Sequence, residues 1–416
     1  MKIYKSKTFG SALLVGGTAI GAGMLALPLT TGVGGFFYST ILFVIAFLFM
    51  LTSLFYLLEA TLMTKQPHAN LITICKERLG PAGEFFAWVS FLLLLYSVAA
   101  AYLSGGGSLI ADVLGSVFHT TLSPNTGIFI FLLVFGFIVV FETKAVDKIN
   151  RICMMGLILS FVFLLLFVTP HVELSHYSGG KPEYLWVAVP VVALSFTSHI
   201  IVPSLRSYLK SDLGKLKRAL FWGSLIPLVF YLVWEFLIIG MLPLTGEHGL
   251  EMIGGAPHPV AGLTDALHAI LGVSWVAVVV GIFSFFALVT SFFGVALSLY
   301  DFLADGFRVK KTIKGRAILL VLMFTPPLLF ALFYPSGFVI ALGYAGVFVA
   351  ILYGILPTLM VWRGRYIAKE KGEFRVFGGK PLLVLMIIGS LAIVFFQIAA
   401  TQGWLPTLAL PNARGS

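Results

Sequence analysis

Charge is scarce in this chain. Of its 416 residues only 11% are Asp, Glu, Lys or Arg and 59% are hydrophobic; the mean hydropathy is +1.03, a balance that a water-soluble domain does not carry. Cysteine is scarcer still. Cys75 and Cys153 both fall at predicted cytoplasmic ends of apolar runs, where thiols stay reduced, so no disulfide framework is expected. Clusters of His, Cys or carboxylates at metal-ligand spacing are missing, so no transition-metal site and no cofactor is expected. No paired histidines or carboxylates sit within the apolar runs, which speaks against a membrane enzyme. A charged ring or repeated filter sequence, as a channel would need, is also missing.

What is present is a succession of apolar runs, each long enough to cross the ~30 Å hydrocarbon layer as a helix. Eleven are expected, with cores near 9–31, 35–64, 84–114, 127–141, 150–169, 184–209, 219–241, 273–303, 317–334, 337–362 and 381–401. The fold class is therefore an all-α polytopic membrane protein. The longest connections, 65–83, 170–183, 242–272 and 363–380, are too short for a soluble domain. Within them "LITICKERLG" reads as a short amphipathic cytoplasmic helix and "VAGLTDALHAIL" (260–271) as a similar one on the outer side, a lid or gate element; plain packing loops are the competing reading of both.

The net charge of +10 is unevenly placed. With the N-terminus inside, every second connection collects the basic residues, from Lys2, Lys5 and Lys7 onward, and 25 of the 27 Lys and Arg fall there; Lys181 and Arg414 are the exceptions. That alternation orients the chain with its N-terminus cytoplasmic and its C-terminus extracytoplasmic. The basic surplus is thus a topology signal, met by anionic lipids. It implies no nucleic-acid partner, and no obligate protein partner is evident. The first run is too long for a secretory signal and ends without a small-residue cleavage pattern.

Helix breakers cluster in two runs. The first carries "GTAIGAGMLALP" (17–28) and the sixth "SFTSHIIVPSL" (195–205) behind Pro190. Five spans separate them, so two five-span units inserted with opposite polarity would each open on an interrupted helix: residues 1–169 and 170–363, with a loop, an eleventh span and a tail in 364–416. A helix unwound in mid-membrane exposes peptide groups at several kcal/mol each, and survives where it lines a cavity or holds a ligand. Half-helix N-termini suit a carboxylate and freed carbonyls suit an ammonium, the two charges of an α-amino acid. Gly16 to Gly23 also fit the small-residue pattern of tight helix contacts, the competing reading.

Ionisable groups at membrane depth are few. His199 lies in the interrupted part of span 6, where a substrate bond, a proton relay and a structural role are all open. Glu235, late in span 7, is a candidate proton site or a water-facing carboxylate. Glu59 and Asp301, near cytoplasmic ends, are expected to pair with basic loop residues. In span 8 "ALVTSFFG" puts Ala287, Thr290 and Ser291 on one face, oxygen ligands for a hard cation or hydroxyls bonded to their own helix. Tyr96, Phe196 and Phe285 are the rings expected beside the site.

"GTAIGAGMLALP" together with "SFTSHIIVPSL" resembles the hydroxy and aromatic amino acid permease family, within the amino acid/polyamine/organocation superfamily. "YSVAAAYLSGGGSLI", "LSLYDFLADGF" and "ALFYPSGFVIALGYAGV" are similar to its tyrosine permease branch, and the likeness covers nearly the whole chain. The resemblance implies eleven spans, a five-plus-five inverted repeat, the bacterial inner membrane, and proton-driven uptake of an aromatic amino acid. On it, Gly21, Ala22 and Gly23 offer N–H groups to the substrate carboxylate. Carbonyls of Thr18, Ala19, Ser195 and Phe196 take its ammonium; Phe196, Tyr96 and His199 border its side chain. Where family members often show "SFGFHG", this chain keeps His199 but has Thr197 and Ser198 before it. "ALVTS" also matches the pattern of sodium-coupled members of the same fold, which would enlist the carbonyls of Gly17 and Ile20. Proton and sodium coupling both stay open.

Overall fold

A computed structural model of the chain describes residues 7–406 apart from 22, 67–68, 142, 272–273, 311, 335–336 and 371. The described residues form helices and turns with no strand, as a chain that must satisfy its backbone inside lipid requires. α1 (Lys7–Ala19) and α2 (Gly23–Thr31) are halves of one bent crossing. α3 (Phe36–Met63) and α4 (Leu71–Phe118) follow. α5 (Pro124–Phe131) and α6 (Phe137–Phe141) flank a π-helical turn. Then come α7 (Thr143–Val168), the broken pair α8 (Leu185–Ser195) and α9 (Val202–Tyr208), and α10 (Leu213–Met241). Short α11 (Leu250–Gly255) and α12 (Pro259–Leu271) precede α13 (Ser274–Gly306) and α14 (Ile313–Phe333). α15 (Gly337–Val349) and α16 (Leu356–Trp362) share one crossing through a π-helical turn, and α17 (Gly379–Thr401) ends the described helices.

Nine segments among the described residues are long and apolar enough to span a bilayer. The α1–α2 pair, bent by 54°, makes a tenth, and residues 124–140 form a shorter apolar helix. Eleven crossings require the bent pair and the short helix each to count as one. Large apolar side chains such as Leu133, Leu159 and Ile388 point outward, which suits a surrounding of acyl chains rather than water.

Polar caps mark where helices meet water. Asn70, Asp212 and Thr312 accept hydrogen bonds from the amides of Thr73, Lys215 and Gly315, at 2.9, 3.0 and 3.2 Å, and satisfy N–H groups that have no partner in the first helical turn. The "LITICKERLG" segment is indeed helical, and it parts from the membrane-spanning length of α4 at Gly80, whose φ of +78° is easy only for glycine, followed by Pro81. Residues 260–271 likewise form a helix, α12.

The basic end is held by arginines. Glu59 of α3 is fully buried and receives Arg365 Nε at 2.6 Å and the Val376 amide at 2.8 Å, while Arg365 also donates to the Val376 carbonyl and faces the Tyr56 ring. The expected pairing of Glu59 with a basic loop residue is what the fold contains. Arg78 makes a two-pronged pair with Glu370 at 2.6 and 2.8 Å, and Arg206 donates to the carbonyls of Thr61 and Thr64. At the opposite end two backbones cross at glycines. A Cβ on Gly35 would lie 2.4 Å from Gly179 O, and one on Gly180 2.4 Å from Gly34 O. Beside this crossing the Lys181 amide donates to Val33 O at 2.8 Å, and Lys181 Nζ pairs with Glu251 at 2.6 Å.

Two groups of helices result. α1 packs along α10, α2 and α3 each pack on both α8 and α10, and α8 also lies against α15. α4 is the spine of the other group, against α5, α13, α14 and α15, with α7 on α13.

Removing Arg365 strands a buried carboxylate. Arg365→Met is expected to destabilise by about 3–5 kcal/mol, and the double change E59Q/R365M to recover most of that loss. Thermal unfolding of the purified protein checks this; additive losses would contradict it.

Candidate functional site

The α-helical ladder of α1 ends with Ile20 N donating to Gly16 O at 3.1 Å and resumes with Met24 N donating to Gly21 O at 3.0 Å. In the sixth run the ladder tightens at Phe196 and Thr197, whose amides reach back to Ala193 O (3.3 Å) and Leu194 O (3.0 Å). One 3₁₀ turn, His199–Ile201, then leads into α9. Both interruptions expected from the glycine and proline pattern are therefore present.

The two interruptions meet. A Cβ on Gly23 would come 2.6 Å from Ser195 Oγ and 3.3 Å from its Cβ, so any larger residue forces the Ser195 side chain to move. One hydroxyl joins them: Tyr231 Oη of α10 lies 2.8 Å from Ala19 O and 2.9 Å from Ser195 O. The neighbouring glycines of α1 divide their work. Gly16 faces α10, where a Cβ would press on Ile226 and Gly223 O; Gly17 has open space around it. The tight-packing reading thus holds for Gly16 and the cavity reading for Gly17.

That space is a cavity of about 690 Å³. Both interrupted spans line it, with α4 (Phe91, Val98, Tyr102), α13 and Tyr353 opposite. It reaches Gly10 and Leu13 in the first turns of α1, and Asn150 and Met154 near the start of α7, so it extends toward the basic end. Phe91 and Ile200 are shared with a second space of about 710 Å³ between α4, α9 and α13. At its other end the lining stops at Gly23, Leu194, Ser195 and Leu342, and the glycine crossing at residues 34–35 and 179–180 lines a separate space of about 160 Å³.

Of the residues expected at a substrate, Thr18, Ala19, Gly21, Gly23 and Ser195 line the cavity, while Ala22 lies outside the described residues. Four aromatic positions are turned elsewhere. Phe196 is buried among Phe43, Phe47 and Tyr231. Tyr96 donates to Leu322 O of α14 at 2.7 Å. Phe285 packs against Phe135 and Phe286. His199 is fully buried and stacked on Tyr353, its Nε2 at 3.1 Å from Ser53 Oγ. Ser53 Oγ also bonds Tyr353 O, and Nδ1 of His199 finds no partner among the described residues.

Among the coupling-ion candidates, Gly17, Ile20, Thr290 and Ser291 line the same cavity and Ala287 is buried behind them. The Thr290 hydroxyl is bonded to its own helix at Phe286 O (2.8 Å). A Cβ on Gly21 would lie 2.7 Å from Ser291 Oγ and 3.8 Å from Tyr102 Oη, which places both hydroxyls at the first break. Glu235 lies apart, toward the glycine crossing. It is fully buried, Oε1 accepts from Thr31 Oγ1 at 2.6 Å, and Oε2 has no partner among the described residues.

Tyr102, Tyr231, Tyr353 and Asn150 are site residues that sequence reasoning missed. Tyr102 carried a signal: it is the one aromatic side chain in the small-residue run Ala99 to Gly107. Tyr231 carried none, since nothing in "VFYLVWEF" marks which face of α10 turns to the breaks.

The tryptophan/tyrosine permease family profile matches residues 4–397. Tyrosine-specific transport system 2 of Haemophilus influenzae is 37% identical over 98% of this chain and 100% of its own length. Tyrosine-specific transport system 1 of the same organism is 34% identical over 96% of this chain and 99% of its own. Its tryptophan-specific transport protein is 32% identical over 95% and 96%.

The contrast between two glycines is testable. Gly23→Ala is expected to destabilise the protein by about 1–3 kcal/mol, the usual result of overpacking. Gly17→Ala should be neutral or slightly stabilising, by up to ~1 kcal/mol, because its methyl enters open space within a helix. Melting of the two purified variants decides; equal losses would contradict the crossing at Ser195.

Proposed function

The chain belongs to the tryptophan/tyrosine permease family, and from that membership we propose that it imports an aromatic amino acid, tyrosine first among them, by ion-coupled symport across a bacterial inner membrane. The observation that carries this reading is the meeting of two interrupted spans at one cavity. The C-terminal ends of α1 and α8 bring partial negative charge to it, and the N-terminal end of α2 brings partial positive charge. A zwitterion fits between them. The ammonium goes to the carbonyls around Ala19 and Ser195, the carboxylate to the amides of Gly21 and Gly23. Phe91, Tyr102 and Tyr353, with Val98 and Leu194, give the walls an aromatic and apolar character suited to a flat side chain.

The cavity extends toward the basic end, which the positive-inside rule makes cytoplasmic; this is the state from which substrate is released inward. Eleven crossings in a five-plus-five inverted repeat plus one agree with the two breaks standing five spans apart. Alternating access then follows from rocking the α1–α2, α3, α8–α9 and α10 group against the α4 group. The glycine crossing at the far end would open in the other state.

For the coupling ion the proton reading is supported by Glu235. No ion pair to it exists among the described residues, and burial without a cation is a costly state for a carboxylate, one that a proton relieves. Its bond to Thr31 links that proton to the outer half of the first broken span. A sodium reading draws on Gly17, Ile20, Ala287, Thr290 and Ser291, four of which share the cavity wall.

Uptake of labelled tyrosine, tryptophan, phenylalanine and serine into proteoliposomes, under separately imposed proton and sodium gradients, tests both layers. Saturable uptake of aromatic amino acids driven by the proton gradient is expected, with E235Q abolishing the drive while tyrosine counterflow persists. Sodium-driven uptake sensitive to S291A would favour the second ion, and no aromatic uptake at all would remove the functional reading.

A further inference from the structure

The two carbonyls that end the half-helices at the breaks are served by a single hydrogen. No described backbone N–H donates to Ala19 O or to Ser195 O; Tyr231 Oη stands within hydrogen-bond distance of both, at 2.8 and 2.9 Å. A phenol has one O–H, whereas two carbonyls offer four lone pairs. The ring that carries this hydroxyl is fully buried and held edge-on by Phe196, with centroids 5.4 Å apart, so the oxygen cannot swing to water. The carbonyls lie at the negative ends of α1 and α8, and both residues line the cavity.

We propose that Tyr231 is a positioning residue for the substrate's α-ammonium: its hydroxyl holds the Ala19 and Ser195 carbonyls at the spacing and direction that an –NH₃⁺ group needs, and leaves their remaining lone pairs for it. The inference rests on the amino acid reading of the cavity and adds to it a residue that touches no substrate. It explains why a tyrosine, rather than the apolar side chains around it on α10, occupies this position. The hydroxyl closes the seam between the two broken spans, and the ammonium supplies the hydrogens the seam still lacks. In its absence the carbonyls repel one another, the half-helix ends drift apart, and the ammonium loses one acceptor or both.

The test pairs a variant with a ligand change. Purified protein in proteoliposomes is titrated with tyrosine and with 3-(4-hydroxyphenyl)propionate, which keeps the ring and carboxylate but has no amine, each as competitor of labelled tyrosine. In the unmodified protein the amine-less ligand should bind far more weakly than tyrosine. Tyr231→Phe keeps the ring and removes the hydroxyl. It is expected to weaken tyrosine by about tenfold, the size of one hydrogen bond to a charged group, and to change the amine-less ligand by less than about twofold. The ratio of the two affinities is independent of how much protein accumulates. Should Y231F fail to fold, Tyr231→Leu is read in the same ratio. Equal weakening of both ligands would assign Tyr231 a packing role only, and an unchanged ratio in both variants would overturn the proposal. Failure of the unmodified protein to bind tyrosine would instead overturn the reading of the cavity on which it rests.

Discussion

A peptide group inside a bilayer must find its hydrogen-bond partner within the protein, and every notable feature of this chain answers that demand. Uninterrupted helices answer it locally. The two interrupted spans cannot, and the structure brings their loose ends to one place, where Tyr231, Ser195 and the glycines of the first span close around a cavity. Interruption and cavity are two aspects of one constraint: a break is tolerable only beside something that can bond to it, and a polar ligand is held only where such bonds are free.

Close backbone approach is what makes the meeting possible. Gly16 and Gly223 let α1 lie against α10, Gly23 lets α2 pass Ser195, and Gly34–Gly35 and Gly179–Gly180 let two backbones cross at the end away from the arginines. At the basic end the means are different. There the helices are tied by buried arginines to Glu59, Glu370 and the carbonyls of Thr61 and Thr64. The molecule is thus joined by backbone contact and the partly exposed Lys181–Glu251 pair at one end, and by buried arginines at the other. Glycine contacts and a solvated ion pair separate at little cost; a buried Arg–carboxylate pair does not. That asymmetry suits a protein whose glycine-crossed end must open while its tied end keeps its shape.

Much of this was legible in the sequence. Apolar runs of sufficient length marked the crossings, because no other structure hides so much apolar surface in a chain with so little charge. Glycine and proline marked the breaks, since no other residues in those runs disfavour a helix so strongly. The pairing of Glu59 followed from its depth and its basic neighbours. What was not legible depends on the azimuth of helices. Tyr96 was placed beside the site and is bonded to α14 instead; Tyr102, further along the same helix, lines the cavity. His199 lies in the broken segment as its position implied, yet its fully buried ring is engaged by Ser53 and stacked behind Tyr353. A few tens of degrees of rotation decide such matters. They are set by packing against helices far away in sequence, as Tyr231 illustrates by reaching breaks 36 and 212 positions distant.

The central claim is that backbone groups at the two breaks, rather than charged side chains, grip the substrate. Its most direct measurement is a cryo-electron microscopy structure of the protein with tyrosine bound. The account predicts the α-ammonium within hydrogen-bond distance of Ala19 O and Ser195 O, and the carboxylate at the start of α2 near the Gly21 and Gly23 amides. Tyrosine bound away from both breaks, or two continuous helices in the first and sixth spans, would contradict it.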